Sequence, residues 1–281
     1  MDKVVNFLAQ IFSLIRVLYR LLMIVLWFFL MFIIFVISKM LNLNIKNSMP
    51  RLFHQGFLKL LNVKVILHGT LKTNKPGLLI SNHASWIDIS ILSSLTNICF
   101  IAKSEVSGWP IVGFLARLQD TVFIERKINR VIKQKKEILD FLSRGKKLVL
   151  FPEGTSSDGN RVLRFKSSLF SIGETEEGKL GGYEFQAVTI CYSGLNGLPM
   201  SRSQRPNVAW WGNMNLFNHL WNLFSLNAIK VTVTAHEPIT NIENRKIMSQ
   251  IAWKQISFGM GKALSGCPEP VSVKETADSL T

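Results

Sequence analysis

The chain carries, directly after an apolar run, the stretch Asn82-His83-Ala84-Ser85-Trp86-Ile87-Asp88. His83 and Asp88 are five residues apart, and on an ideal helix this offset separates two side chains by about 140°. Their side chains meet only if His83 precedes the helix and Asp88 reaches back from its first turn. A junction from a strand through a turn into a helix supplies that geometry. The spacing predicts an imidazole oriented by a carboxylate, which can take a proton from an alcohol near neutral pH.

A second polar cluster follows another predicted strand. Residues 147–151, Lys-Leu-Val-Leu-Phe, have the pattern of a buried strand and lead into the run Pro152-Glu153-Gly154-Thr155-Ser156-Ser157. Ligand sites of open α/β sheets lie beyond the carboxyl ends of the strands, so both clusters are expected to line one crevice. Taken alone, His83 and Asp88 are compatible with a helix cap or a solvated pair. The second cluster favours a site.

The two clusters together resemble the signatures of the glycerolipid acyltransferases, the family related to 1-acylglycerol-3-phosphate acyltransferase. These signatures are Asn-His-x-x-x-x-Asp and Phe-Pro-Glu-Gly-Thr, and the resemblance covers roughly residues 78–238. Further matching stretches are Lys103, Trp109-Pro110, Gly113, Val122-Phe123-Ile124-Glu125-Arg126 and Ala209-Trp210-Trp211-Gly212-Asn213-Met214. One departure is the strand of residues 186–190, which lacks the proline of the Val-Pro-Val-like fourth motif.

The resemblance implies a direct transfer of an acyl group without an acyl-enzyme. His83 is the implied general base and Asp88 holds its ring, so that the acceptor alkoxide attacks the thioester. Arg126 is the implied clamp for the acceptor phosphate, because its guanidinium is always charged and offers bidentate donors.

The second motif is expected to shape the acceptor site through Glu153, Gly154 and Thr155. The Gly154 amide is expected to be available to the headgroup or to the oxyanion. Substrate-binding roles are also predicted for Lys103, Asn82 and Ser156. For Asn82 and Ser156, a turn or cap role is the alternative. We expect no metal site and no cofactor beyond the acyl thioester that serves as co-substrate.

Composition agrees with an enzyme at a membrane. The chain has 281 residues, of which 48% are hydrophobic, and 33 Lys and Arg against 18 Asp and Glu. This excess of positive charge favours anionic partners. No nucleic-acid recognition motif is present, so we expect an anionic membrane surface, a membrane lysophospholipid, and acyl-CoA or acyl carrier protein as donor.

The N-terminal segment is strongly apolar. Eighteen uncharged residues lie between Arg20 and Lys39, and as a helix they span about 27 Å, close to the hydrocarbon core of a bilayer. The preceding residues 4–19 have the spacing of a helix that lies in the membrane interface. A single transmembrane span and a monotopic hairpin both remain open. The expected location is the inner membrane of a bacterium, with the catalytic domain on the cytoplasmic face.

Strand-like and helix-like segments alternate along the rest of the chain, which predicts an α/β fold. The expected architecture is a mixed, mostly parallel sheet flanked by helices, with N-terminal membrane-associated helices. Residues 1–40 form the predicted membrane anchor, 50–264 the acyltransferase domain, and 265–281 a flexible tail.

The sequence therefore predicts transfer of a fatty acyl group from a thioester to the sn-2 hydroxyl of 1-acylglycerol-3-phosphate, which makes phosphatidic acid. One alternative is the same chemistry on another lysolipid, such as lyso-ornithine lipid. A second alternative is a non-catalytic membrane protein that binds lipid or carrier on the same scaffold.

Overall fold

The computed structural model of the protein describes residues 2–43, 48–72, 75–124, 131–173, 183–240 and 244–277. Its strands are β1 (Val63–His68), β2 (Gly77–Ser81), β3 (Cys99–Lys103), β4 (Val122–Ile124), β5 (Lys147–Leu150), β6 (Glu184–Leu195), β7 (Leu198–Pro199) and β8 (Ile229–Ile239). Its helices are α1 (Asp2–Met40), α2 (Met49–Leu60), α3 (Ile87–Leu95), α4 (Pro110–Leu118), α5 (Val131–Ser143), α6 (Leu216–Ser225), α7 (Arg245–Leu264) and α8 (Val273–Ala277).

The described strands form one mixed, mostly parallel sheet, as predicted. The strand order is β1-β8-β6-β2-β5-β3-β4, and β7 pairs with β6. Strands β6, β2, β5, β3 and β4 run parallel to one another. Strand β8 runs antiparallel to β6, and β1 runs parallel to β8. The carboxyl ends of β2 and β5 therefore meet at one edge, where both polar clusters begin.

Helices cover both faces of the sheet. All residues of β2 and β5 are buried, as expected for central parallel strands with a helical layer on either side. On one side the core contains residues of α1, α2, α3 and α6, among them Val17, Leu58, Ile91 and Leu223. On the other side it contains residues of α5 and α7, such as Ile138 and Ile256. The turn of residues 82–87, called the catalytic turn because catalysis is predicted for His83, lies on the side of α1.

Residues 4–19, whose spacing predicted an interfacial helix, and the apolar residues 21–38 belong to one continuous helix, α1, of 39 residues and about 58 Å. Residues Val4–Met40 are long and apolar enough to cross a membrane, and 11% of their most apolar window is buried. Val17 nevertheless belongs to the core, and Trp27 Nε1 donates to the carbonyl of Phe53 in α2 at 3.1 Å. One stripe of α1 is therefore part of the folded domain.

The prediction of a flexible C-terminal tail is wrong for residues 265–277. Val271 and Thr276 are buried, and helix α8 packs against α7 and β8. The Val271 amide donates to His236 Nδ1 at 3.0 Å, and Gln255 Nε2 donates to the Val271 carbonyl at 3.0 Å. The tail is ordered because it satisfies buried polar groups of α7 and β8, which local composition does not reveal. Residues 278–281 lie outside the described part of the chain.

Candidate active site

The predicted contact between His83 and Asp88 is present. Helix α3 begins at Ile87, so His83 precedes the helix and Asp88 lies in its first turn. His83 Nδ1 lies 2.9 Å from Asp88 Oδ2. Asp88 is fully buried, whereas the His83 side chain is 22% exposed. With Nδ1–H bound to the carboxylate, the neutral ring presents the lone pair of Nε2, and a hydroxyl that enters the crevice can reach it.

The Asp88 carboxylate accepts further hydrogen bonds that fix its position. The backbone amides of Ala84 and Ser85 donate to Oδ2 at 2.8 and 2.9 Å. The hydroxyl of Tyr192 donates to Oδ1 at 2.5 Å. A buried carboxylate is tolerated when donors satisfy its oxygens, so this arrangement holds an anion ready to orient His83.

Tyr192 was not found by sequence reasoning. It lies on β6, 104 positions from Asp88 along the chain, and no local motif marks it. Burial, followed by the nearby charge of Asp88, raises the pKa of the Tyr192 phenol well above its usual value. The phenol therefore remains a neutral donor. The alternation of side chains along β6 is the one signal for Tyr192, because it places Ile190 and Tyr192 on the same face of the sheet.

Backbone contacts from two other loops hold the turn of His83. The Ser157 amide donates to the His83 carbonyl at 2.8 Å, and the Trp210 amide donates to the Ala84 carbonyl at 2.8 Å. The ring of Phe151 stacks on the His83 imidazole, with centroids 4.3 Å apart. The two predicted clusters therefore converge, together with the loop of Trp210.

Asn82 and Ser156 are engaged within the protein. Asn82 Nδ2 donates to the Ile190 carbonyl at 2.9 Å, and Asn82 Oδ1 accepts from the Ile190 amide at 2.8 Å. Ser156 Oγ donates to the Trp210 carbonyl. These contacts agree with the alternative of a local structural role, because they tie β2 to β6 and one loop to the other.

Glu153 holds the turn of His83 through a hydrogen bond to its backbone. Its Oε1 accepts the His83 amide at 3.1 Å, and the residue is 2% exposed. Burial raises the pKa of Glu153 to about 8, although the bond from the His83 amide opposes the shift. Within the described ranges, Oε2 is buried without a hydrogen-bond partner. This carboxyl is mostly protonated at neutral pH and can donate from that oxygen.

The expectation that the Gly154 amide is free for a headgroup or oxyanion is wrong. That amide donates to the Phe151 carbonyl at 3.1 Å and closes a turn. Gly154 has φ +69, a left-handed backbone conformation that favours glycine. Thr155 is exposed beside the turn and remains accessible to a ligand.

One further predicted substrate residue, Lys103, lies at the same edge of the sheet. Lys103 is the last residue of β3, and its backbone is in register with Ile124 of β4. Both positions are at carboxyl ends of parallel strands. Arg126 follows β4 but lies outside the described residues, so its role as a phosphate clamp stays a prediction.

An apolar groove lies between α1, α2 and α4. It has a volume of about 730 Å³ including its open mouth. Its lining is apolar apart from His54 and Gln119: Phe28, Met31, Phe32, Phe35, Met49, Pro50, Phe53, Phe114, Leu115 and Leu118. A series of ring contacts connects it to the catalytic turn, from Phe53 to Phe57 at 6.4 Å and from Phe57 to Trp86 at 6.1 Å.

The other buried histidines have structural partners. His54 bonds Ser90 and Gln119, and burial lowers its pKa to about 4. His219 bonds Trp86 and the Val208 carbonyl, and burial lowers its pKa as well. Throughout the described ranges, no group of three or more His, Cys, Asp or Glu is placed to hold a metal ion.

The sequence is similar to those of known proteins. A family model named Acyltransferase matches residues 62–190. The lyso-ornithine lipid O-acyltransferase of Rhizobium meliloti is 38% identical over 246 residues, which cover 86% of this chain and 84% of the relative. The 1-acyl-sn-glycerol-3-phosphate acyltransferase of Neisseria meningitidis is 30% identical over 181 residues, 64% of this chain and 67% of the relative.

A solved structure has the same fold. The crystal structure of the 1-acyl-sn-glycerophosphate (LPA) acyltransferase PlsC from Thermotoga maritima superposes with a TM-score of 0.63 at 19% identity. The superposition covers 90% of this chain and 97% of the other. With the His83–Asp88 contact and the length of the match to the Rhizobium relative, the chain belongs to the glycerolipid acyltransferase family and is an acyltransferase of lysolipids.

Proposed function

We propose that this enzyme transfers a fatty acyl group from a thioester to the hydroxyl of lyso-ornithine lipid. The chemistry is supported by the geometry of His83, whose Nδ1 faces a buried carboxylate while the side chain is partly exposed to solvent. The acceptor is supported by the higher identity and longer coverage of the lyso-ornithine lipid relative, 38% over 246 residues, against 30% over 181 residues for the Neisseria relative.

The proposed reaction proceeds in one transfer step. His83 Nε2 takes the proton of the acceptor hydroxyl, and the oxygen forms an ester bond with the thioester carbonyl carbon. The carbon–sulfur bond breaks, and the departing thiolate takes the proton from the His83 imidazolium. Asp88 stabilises the imidazolium through Nδ1–H, as expected for a base with an orienting carboxylate. The products are the acylated lipid and a free thiol of coenzyme A or acyl carrier protein.

The second candidate acceptor is 1-acylglycerol-3-phosphate. It is favoured by the Neisseria relative and by the predicted phosphate clamp at Arg126. An ornithine headgroup has a carboxylate and an ammonium but no phosphate, so the two acceptors require different recognition. If the phosphate acceptor is correct, Arg126→Ala should raise the KM for that lipid far more than the KM for the thioester.

The apolar groove between α1, α2 and α4 is the proposed site for an acyl chain. Its lining is apolar, and the ring contacts of Phe53, Phe57 and Trp86 lead from it towards the catalytic turn. A long hydrocarbon chain gains free energy when it leaves water for such a surface.

We further propose that α1 lies along the membrane and inserts its outer face into one leaflet. A stripe of α1 is fixed to the domain by Val17, Arg20 and Trp27, while most of its other faces expose large apolar side chains. A helix that crosses the bilayer cannot also lie against the catalytic domain along this stripe. The outer face therefore suits an interfacial helix better than a span.

An acceptor panel tests the proposal. The full-length protein is assayed in mixed micelles with lyso-ornithine lipid, lysophosphatidic acid and lysophosphatidylethanolamine, each with acyl-CoA and with acyl carrier protein. We expect the highest kcat/KM for lyso-ornithine lipid, and none above background for His83→Ala. A higher kcat/KM for lysophosphatidic acid would replace the proposed acceptor by the second candidate. No turnover with any pair would favour the non-catalytic alternative.

A further inference from the structure

A surface segment next to the site has no charged residue. From position 206 to position 229 the chain has no Asp, Glu, Lys or Arg, although the whole sequence has 33 Lys and Arg and 18 Asp and Glu. The segment contains three of the seven tryptophans, Trp210, Trp211 and Trp221. Tryptophan is enriched at the boundary between water and lipid, where its apolar ring is buried and its N–H finds a partner.

Helix α6, which lies in this segment, exposes apolar rings on its outer side. Phe217 is 80% exposed and Trp221 is 47% exposed. They are four positions apart and therefore neighbours on one face of the helix. The exposed side chains beside them, Asn218 and Asn222, are polar but uncharged. Side chains of the inner face, such as Leu223, belong to the core.

Two arginines of α1 join this helix to α1. Arg20 donates to the carbonyls of Phe224 and Asn227, each at 2.8 Å, and to that of Leu226. Arg16 donates to the Ser225 carbonyl at 2.7 Å. The carbonyls of Phe224 and Ser225 are among those that the end of α6 leaves unsatisfied, and a cation is favourable at that end of a helix. Helices α1 and α6 are thus fixed to each other on one side of the sheet.

The same helix contacts the catalytic turn. Trp86 Nε1 donates to His219 Nδ1 of α6 at 3.2 Å, and Trp86 lies between His83 and Asp88 in the chain. The ring of Trp109 contacts that of Trp210 at 6.4 Å, and the Trp210 amide bonds the turn at Ala84. The position of α6 relative to a membrane therefore sets the position of His83.

We propose that the outer face of α6, with Phe217 and Trp221, is a second membrane contact that inserts into the interface of a phospholipid bilayer. The segment of positions 206–229 has no charged residue that a protein partner could pair with, and α6 is fixed to α1, whose outer face exposes apolar side chains. With α1 and α6 both in the interface, the tilt of the domain is fixed, and the turn of His83, which α6 contacts through Trp86, lies close to the lipid surface. This inference rests on the proposed insertion of α1 in a leaflet.

The test places an environment-sensitive dye at single cysteines in the full-length chain. Cys267 is the exposed native cysteine, and Cys99 and Cys191 are buried, so Cys267→Ser supplies the background. The dye is attached after Trp221→Cys on α6, Phe29→Cys on α1 or Phe258→Cys on α7. Phe29 and Phe258 are 58% and 44% exposed, and α7 packs on the opposite side of the sheet.

Vesicles of phosphatidylethanolamine and phosphatidylglycerol, with and without brominated acyl chains, are then added. We expect a shift to shorter wavelength and quenching by bromine at positions 221 and 29, and neither at position 258. A dye at 221 that stays in water while the dye at 29 is quenched overturns the second contact and leaves the α1 proposal standing. If neither is quenched, the proposed insertion of α1 fails as well. Equal quenching at 258 would indicate adsorption without a defined face and overturns the inference.

Activity provides an independent measurement. Replacing both Phe217 and Trp221 by Ser should reduce turnover of lysolipid in vesicles several-fold and leave turnover of a short-chain, water-soluble acceptor unchanged. The matched control Phe258→Ser should change neither. Circular dichroism confirms that each variant is folded. Equal turnover of vesicle substrate by the double variant and the native protein would overturn the proposed role of this face.

Discussion

The catalytic turn buries a charged group, whereas the outer faces of α1 and α6 expose large apolar groups. In the turn, the fully buried carboxylate of Asp88 is surrounded by hydrogen-bond donors. On the outer faces of α1 and α6, large apolar side chains such as Phe29 and Phe217 are exposed. A water-soluble enzyme normally buries such side chains and leaves charges outside.

The difference indicates that water surrounds one part of the domain and lipid another. The buried charge of the turn is tolerated because local donors replace water. The exposed rings are tolerated if lipid replaces water on that side. Arg20 connects the two regions, because it binds the end of α6, and α6 contacts Trp86 beside Asp88. The following predictions test each region in turn.

The largest effect is expected for His83→Ala. Removal of a general base typically lowers the rate by roughly 10² to 10⁴. The side chain is partly exposed on a turn, so the unfolding midpoint should change little. The measurement is kcat with lysolipid and thioester at equal amounts of folded protein. His68→Ala, on β1, is the control that should keep activity; a rate for His83→Ala within a few fold of native would contradict the assignment.

A smaller effect, roughly tenfold in kcat, is expected for Tyr192→Phe, because Asp88 loses one donor and with it part of its fixed orientation. A carboxylate with one donor fewer holds the imidazolium more strongly, so the acidic limb of the pH–rate profile should move to higher pH. The KM values should not change.

Thr189→Val is the control for this variant. It removes another buried hydroxyl of β6, which bonds His236 at 2.7 Å and does not contact Asp88. It should lower stability without moving the pH–rate profile. A profile that moves equally in both variants would mean that Tyr192 acts through general stability alone.

Arg20→Met should lower the free energy of unfolding by about 2 kcal/mol, because carbonyls at the end of α6 lose a charged donor. Thermal unfolding in detergent micelles measures the effect. Arg117→Met is the control, since Arg117 is exposed and bonds the Ser107 carbonyl. Equal midpoints for Arg20→Met and the native protein would show that α1 is a separable anchor, as the sequence alone suggests.

The last prediction concerns Glu153 and the pH dependence of stability. Burial raises the pKa of this carboxyl from 4.5 to about 8, so its stabilising contribution is complete below pH 4.5 and is lost as pH rises to about 8. Native stability should fall by roughly 1 kcal/mol per pH unit across part of this interval. Glu153→Gln should flatten this slope and the exposed Glu105→Gln should not, as measured by unfolding midpoints between pH 5 and 9. An unchanged slope in Glu153→Gln would contradict the raised pKa.

Local patterns predicted much of the fold and the central pair. Residues 147–150 form strand β5 as predicted, because the apolar side chains of Leu148, Val149 and Leu150 are buried in the centre of the sheet. The five-residue spacing of His83 and Asp88 predicted the strand–turn–helix junction, since no other local geometry lets them touch. Helix α6 was not predicted, and the tail was misassigned, because both depend on contacts with distant parts of the chain.

The sequence by itself determined the pairing of His83 with Asp88, the acyltransferase family and the apolar character of α1, since each depends on short motifs that are local in the chain. Only the tertiary structure decided that Tyr192 supports Asp88, that the Gly154 amide is used in a turn, and that α1 is fixed to α6. Those contacts join residues far apart in sequence, and the free energy of a buried hydrogen bond depends on what surrounds it after folding. Spacing along the chain carries no record of that environment.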